Sequence, residues 1–282
     1  MPELPEVETM RRGILAVVGS RVKAVKRAAC NLRPIEVRPT MAAFRKRTVG
    51  RTITDVDRVG KRVVVRLDSG DSMIFEPRMT GLVLIADPPD GEHLRFRVDL
   101  AGGEIRTFWF WDRRGLGSVR LLSPRQFAVE LGGAKLGPDA LAISCDELRE
   151  RLKGSRREIK VALLDQRAVA GVGNLYASEI LHRSGVHPQH RCDRLPRVAW
   201  ERIHAVMLEV LHTAIRYEGS TLSDGTYRNA LNESGGYQNQ HCVYDRAGEI
   251  CPTCQQVTIV RIVQAQRATF YCAACQTKKR RP

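Results

Sequence analysis

The chain has 282 residues, enough for two modest domains with separate cores. Hydrophobic residues make up 43% and charged residues 27%, a soluble globular composition, and no apolar run reaches the roughly 18 residues of a spanning helix. With 46 Lys+Arg against 31 Asp+Glu, a net charge of +15, the protein suits a polyanion: nucleic acid first, a ribosomal or anionic-lipid partner otherwise.

The chain opens MPELPEVETMRRGIL. Pro5 pre-sets φ for a first helical turn, and Glu6 and Glu8 suit the positive end of the helix dipole, so a helix starts here. Pro2 is not explained by that start. With the initiator Met removed it would be a terminal secondary amine, titrating roughly two units below lysine and nucleophilic at neutral pH. The stretch alone leaves both readings open, a plain helix start and a catalytic amine. The acidic, amphipathic N-terminus lacks an apolar signal core, which argues for a cytoplasmic protein.

From about residue 50 to 125 the pattern is short strands with turn punctuation: KRVVVRL, SMIFEP, GLVLIA, LRFRVDL, EIRTFWFW and SVRLL, separated by DSGD, ADPPDGE and AGGE. Leu94, Phe96, Val98 and Leu100 alternate with Arg95, Arg97 and Asp99, a half-buried antiparallel strand. Several such strands predict a sandwich or barrel. LGPDAL near 136 reads as a hinge into helical material: CDELRERL, REIKVALLDQ, NLYASEILHRSG, then a long amphipathic helix through Val198, Ile203, Val206, Val210 and Ala214. Residues 219–240 are polar and glycine-rich without a period, as in functional or mobile loops. The terminal KKRRP reads as a solvated tail.

Of eight cysteines, Cys30, Cys145, Cys192 and Cys242 stand apart and read as small buried hydrophobes. The other four form two knuckles, Cys251-x2-Cys254 and Cys272-x2-Cys275. Four thiolates at this spacing make a closed tetrahedral site for one structural Zn2+, in preference to two redox dithiols. Between the knuckles QVTIVRIV and RATFYC predict two strands joined near Gln264–Arg267, with Arg267 placed to reach a phosphate or simply a surface charge. In DQRAVAGVGNLYASEILHRSG, Gly171 and Gly173 allow a tight backbone and Asn174 is read as the cap of the next helix, an anion site by its free amides. Arg156, Arg157, Lys160 and Arg167 upstream, with His187 following, fit a phosphate-gripping helix–turn–helix variant. In EPRMTG and WDRRGLG, Met79 and Leu116 read as exposed apolar tips beside Arg113 and Arg114, suited to wedging into a DNA stack. Ordinary turn residues are the plainer reading at each place, as is a solvated Lys61.

The combination of PELPEVE after Met1, DQRAVAGVGNLYASE and AQRATFYC inside a four-cysteine finger resembles the bacterial formamidopyrimidine-DNA glycosylase family. PELPEVE favours this branch over the related endonuclease VIII branch, which usually opens PEGPE. The resemblance implies an α+β fold of two lobes. Residues 1–136 would form an N-terminal β-sandwich with its flanking helix, 137–240 a helical domain with a helix–two-turns–helix and a lesion-capping loop, and 241–282 the zinc finger and basic tail. DNA would lie between the lobes. It also implies base-excision repair: removal of oxidised purines such as 8-oxoguanine and formamidopyrimidines, then strand cleavage by β,δ-elimination. Residue by residue, Pro2 matches the nucleophile, Glu3 the acid–base group, Lys61 the catalytic lysine of β-elimination and Arg267 the finger arginine of δ-elimination. His93, Arg113, Met79, Lys160 and Asn174 match DNA contacts, and 219–240 the loop that closes over the flipped base. The implied partner is double-stranded DNA carrying oxidised bases or abasic sites, bound by a monomer in the bacterial cytoplasm and associated with the nucleoid through that DNA. The chain departs from the family pattern at Arg113-Arg114-Gly115-Leu116, where an arginine–arginine–phenylalanine–glycine run is usual, and at Pro77-Arg78, where leucine–glycine is usual. Both departures fall on reading of the base opposite the lesion rather than on catalysis. A non-enzymatic zinc protein that binds DNA would explain the charge, the finger and GVGN, and would leave Pro2-Glu3, Lys61 and Arg267 coincidental.

Overall fold

The computed structural model describes residues 1–133 and 135–278. The tail reading of KKRRP lies, from residue 279 onward, outside the described residues. The chain forms two compact units, Met1–Lys135 with Ala214–Gln238, and Leu136–Thr213 with Asn239–Pro282.

In the first unit the elements run α1 (Leu4–Gly13), β1 (Arg21–Arg27), β2 (Glu36–Arg38), α2 (Met41–Thr48), β3 (Ile53–Val59), β4 (Arg62–Leu67), β5 (Ser72–Glu76), β6 (Gly81–Leu84), β7 (Leu94–Ala101), β8 (Thr107–Asp112), β9 (Ser118–Leu122) and α3 (Pro124–Leu131). The strands make a four-stranded sheet ordered β1-β7-β8-β6 and a five-stranded sheet ordered β2-β9-β5-β4-β3. The alternation read in LRFRVDL survives in part. Phe96, Val98 and Leu100 are buried, but so is Arg95, whose guanidinium donates to the main-chain carbonyls of Asp112 and Arg113. Phe75 of one sheet packs edge-on against Phe108 of the other with centroids 5.6 Å apart, so the inner faces share one core. Val64, Ile74 and Leu122 point the other way and are covered by Leu131 and Phe127 of α3. Burial on both faces is why Val63-Val64-Val65 is an unbroken apolar run.

Helix α1 opens as the sequence predicts, with Pro5 in its first turn and Glu6 accepting from the Glu3 main-chain N–H at 2.9 Å. It buries Val7 and Met10 in the sandwich core, joined by Ile14 just past its end, and packs against β3, β4 and β6. Residues 214–238 also belong to this unit, so the compact units do not follow three consecutive stretches of chain. The reason is local bonding: the Ser220 N–H donates to Glu6 Oε1 at 2.9 Å, and the Ile85 N–H to the Ala230 carbonyl at 3.0 Å. A Cβ at Gly219 (φ +80°) would come within 2.8 Å of the Glu6 carboxylate. Only glycine lets the backbone close over Glu6 here.

The second unit holds α4 (Cys145–Leu152), α5 (Ile159–Leu163), α6 (Asn174–Arg183), most of α7 (Arg197–Arg216), β10 (Ile259–Gln264) and β11 (Arg267–Cys272). Helix α5 is shorter than REIKVALLDQ suggested. The Gln166 side chain turns back onto the main chain, donating to the Leu164 and Val172 carbonyls and accepting from the Gly171 N–H. Of the four isolated cysteines Cys192 alone is fully buried; Cys30, Cys145 and Cys242 are half-buried, which corrects the expectation for them.

Candidate active site

Pro2 is buried at the start of α1, behind an exposed Met1, and Glu3 beside it is 3% exposed. A cleft at Pro2 is lined by Met79, Thr80, Leu82, Ser220, Leu222 and Tyr227 among others, all of the first unit. The wall from 214–238 is held by Glu6 and by Tyr227, whose hydroxyl donates to the Glu218 carbonyl at 2.9 Å. Burial, with the Glu6 and Glu218 charges adding to it, pushes the Tyr227 phenol well above its ordinary value, so it serves there as a neutral donor. Lys61 sits half-buried in the turn between β3 and β4, against which α1 packs.

The DNA-contact candidates of this unit lie on two turns and one strand start. Met79 is 37% exposed, whereas Leu116 is half-buried and is not the exposed tip expected. Arg113 and Arg114 are exposed. His93 is oriented by Asp90, whose Oδ1 lies 2.9 Å from His93 Nδ1 and also accepts from the His93 main chain and from Trp111 Nε1. Burial alone would raise the Asp90 carboxyl, but these donors outweigh it and hold it below the usual range. Asp90 then fixes the ring so that Nε2 is the nitrogen left for a ligand.

In the second unit Lys160 is 1% exposed, with Nζ bonded to Asn174 Oδ1 at 2.8 Å, the Ala268 carbonyl at 2.9 Å and Thr269 Oγ1 at 2.7 Å. Asn174 is the first residue of α6 and not its cap, a role that falls to Gly173; its Nδ2 donates to the Ala268 carbonyl at 3.0 Å. Lys160 and Asn174 thus tie the helix–turn–helix to the β10–β11 hairpin. His187, read as a basic flank, is buried; burial, with His190 and Lys278 adding to it, pushes its pKa down to about 4, so it is neutral at pH 7. Arg267 is exposed at the hairpin tip, paired with Gln264 across a turn of Ala265 and Gln266, both at positive φ. The sulfurs of Cys251, Cys254, Cys272 and Cys275 lie within 4.8 Å of one another. That all-sulfur donor set fits a structural metal ion with every position filled by protein.

Two staples escaped the sequence reading. Glu179, fully buried on α6, accepts the main-chain N–H groups of Cys242, Val243 and Tyr244 at 2.8–3.0 Å and anchors the chain entering the hairpin. Asp112, fully buried at the end of β8, accepts from the Thr80 hydroxyl and the Gly117 N–H. Both had a signal: Glu179 lies one turn from Leu175 on an apolar face, and Asp112 is in step with Phe108 and Phe110.

The family model for the formamidopyrimidine-DNA glycosylase N-terminal domain matches residues 1–119, and that for its H2TH domain matches 136–226. This chain belongs to the formamidopyrimidine-DNA glycosylase family. It is 38% identical to the formamidopyrimidine-DNA glycosylase of Azorhizobium caulinodans, over 98% of this chain and 100% of that one. Against the Bacillus subtilis protein of that name it is 37% identical over 99% and 100%. Among solved structures it is similar to the MutM (Fpg) protein of Thermus thermophilus, with TM-score 0.85 and 35% identity over 99% of this chain and 100% of that one. It is also similar to Lactococcus lactis Fpg in complex with abasic-site DNA, with TM-score 0.85 and 30% identity over 98% and 100%. The four cysteines at the end of the chain accord with the finger that the resemblance implied. Among the described residues no helix is long and apolar enough to cross a membrane.

Proposed function

We propose that this protein is a bifunctional DNA glycosylase and abasic-site lyase that excises oxidised purines through a Schiff base on Pro2. The observation that carries the reading is Pro2, buried just before α1 and lining a cleft walled by Met79 and the 214–238 segment, with the buried Glu3 next to it in the chain. A base inside a duplex cannot be attacked at its sugar, so it must be extruded, a class of reaction that the unstacking of damaged pairs favours. Met79 with Arg113 fills the space left in the stack. With Met1 removed, the secondary amine of Pro2 attacks the sugar C1′, and the base leaves with the proton the amine gives up. The C1′–O4′ bond then opens onto a protonated ring oxygen, leaving an iminium that is positively charged without being protonated. That charge acidifies the adjacent sugar proton, and β- then δ-elimination follow. Glu3 gives a proton to the ring oxygen as the base departs and recovers one later. Lys61 and Arg267 carry the elimination roles that the family pattern implies. Cys251, Cys254, Cys272 and Cys275 would hold Zn2+, which supplies folding energy to the hairpin.

Borohydride reduction in the presence of duplex DNA with 8-oxoguanine tests the reading. Wild-type protein should form a covalent adduct, with an intact mass lacking Met1, and Pro2→Gly should lose it. An adduct as abundant in Pro2→Gly would assign the chemistry to another amine. Absence of any adduct on oxidised or abasic DNA would leave a DNA-binding zinc protein.

A further inference from the structure

We propose that Thr80 and Asp112 are positioning residues that lock the Met79 tip to the 113–117 turn, so that unstacking of DNA depends on them more than bond chemistry does. The inference rests on the function proposed above and deepens it. Asp112 ends β8 at a position where the strand's inward alternation, Phe108 then Phe110, calls for an apolar side chain. A carboxyl group buried there must find donors inside the protein. It finds them on the two turns. The Thr80 hydroxyl donates to Oδ1, the Arg114 N–H approaches the same oxygen at 3.2 Å, and the Gly117 N–H reaches Oδ2 at 2.7 Å. The Thr80 hydroxyl also accepts from the Arg114 N–H at 3.0 Å, so one hydroxyl bridges both turns. The main chain of Asp112 extends the lock, donating to the His93 carbonyl at 3.0 Å.

Backbone geometry leaves these turns little slack. A Cβ at Gly81 would fall 2.5 Å from Pro77 Cα, and one at Gly115 (φ +61°) 2.4 Å from the Arg33 carbonyl oxygen. Met79 is the exposed residue next to a Thr80 that is 6% exposed. An apolar tip parts a base stack only when its root cannot fold aside, and a hydroxyl–carboxylate bridge supplies that root.

The experiment compares two rates in the full-length protein: excision from duplex DNA with 8-oxoguanine opposite cytosine, and borohydride trapping on an unpaired abasic strand, which needs no unstacking. Thr80→Val keeps the shape and removes the hydroxyl; Thr80→Ser keeps the hydroxyl. The ratio of duplex to single-strand rate should fall about tenfold in Thr80→Val and stay at the wild-type value in Thr80→Ser. An unchanged ratio in Thr80→Val, including equal losses on both substrates, overturns the inference and reduces the bridge to a stability element. Where Thr80→Val does not fold, Thr80→Ala is judged by the same ratio. A wild type inactive on both substrates overturns the proposed chemistry itself, and the inference falls with it.

Discussion

Glu6, Asp112 and Glu179 are buried carboxylates in a chain of net charge +15, and each is met by main-chain N–H groups. They pin the 214–238 segment, the two turns that carry Met79 and Arg113, and the entry to the hairpin respectively. These three acids lie inside as staples, while Arg113, Arg114 and Arg267 lie outside. Glu8 works differently, through ion pairs with Arg11, Arg12 and Arg58 at 2.7–3.1 Å. Burial opposes its ionisation, but the three guanidiniums outweigh that and hold its pKa below the ordinary 4.5. An acid depressed on folding contributes stability above its unfolded value and loses it as pH falls through the folded one. Glu8→Gln should therefore be less stable by about 1–3 kcal/mol near neutral pH. The gap should close as pH drops below 4.5. Urea midpoints measured across that range check this; a gap constant down to strongly acidic pH would refute the pairing.

The strands of the sandwich were legible because each carries its own signal: doubly buried β4 as an apolar run, β5 and β9 as short apolar segments between turns. Residues 20–55 gave little. Strand β1 reads exposed–buried–exposed with a bulge at Val22/Ala24, and α2 ends in Arg45-Lys46-Arg47, so neither shows a clean period. The hairpin of β10 and β11 was legible from QVTIVRIV and RATFYC, the two strand-like segments between the cysteine knuckles. Its own apolar cluster, around Val243, Cys251, Ile259, Phe270 and Cys272, is small, so the proposed metal would supply a large part of its folding energy. Chelation should therefore release about one Zn2+ per chain, measured with a metallochromic dye, and erase the circular dichroism of the hairpin while the N-terminal sandwich melts as before. A hairpin that kept its amide protection after complete metal loss would show that packing, and not ligation, holds it.

At the scale of the whole chain, composition announced a polyanion partner, and the hinge near 136 coincides with the boundary of the compact units. What composition could not announce is the return of 214–238 to the first unit. Bonds such as Ser220 to Glu6 join residues 214 apart in sequence, and no local pattern encodes them. The charge excess makes a prediction of its own. An excess of 46 basic over 31 acidic residues, with Glu6, Asp112 and Glu179 folded inward, suits a surface that would bind phosphate by releasing counterions. If about six phosphates are contacted, affinity for lesion-bearing duplex should fall about a thousandfold between roughly 50 and 200 mM salt. Substituting one exposed contact such as Arg113 by glutamine should lower the logarithmic salt slope by about one. Lys160→Met should leave that slope as it is and act on stability, because its ammonium already holds Asn174, Ala268 and Thr269. Fluorescence anisotropy over a salt series reads all three, and a complex indifferent to salt would mean that the excess charge serves something other than DNA.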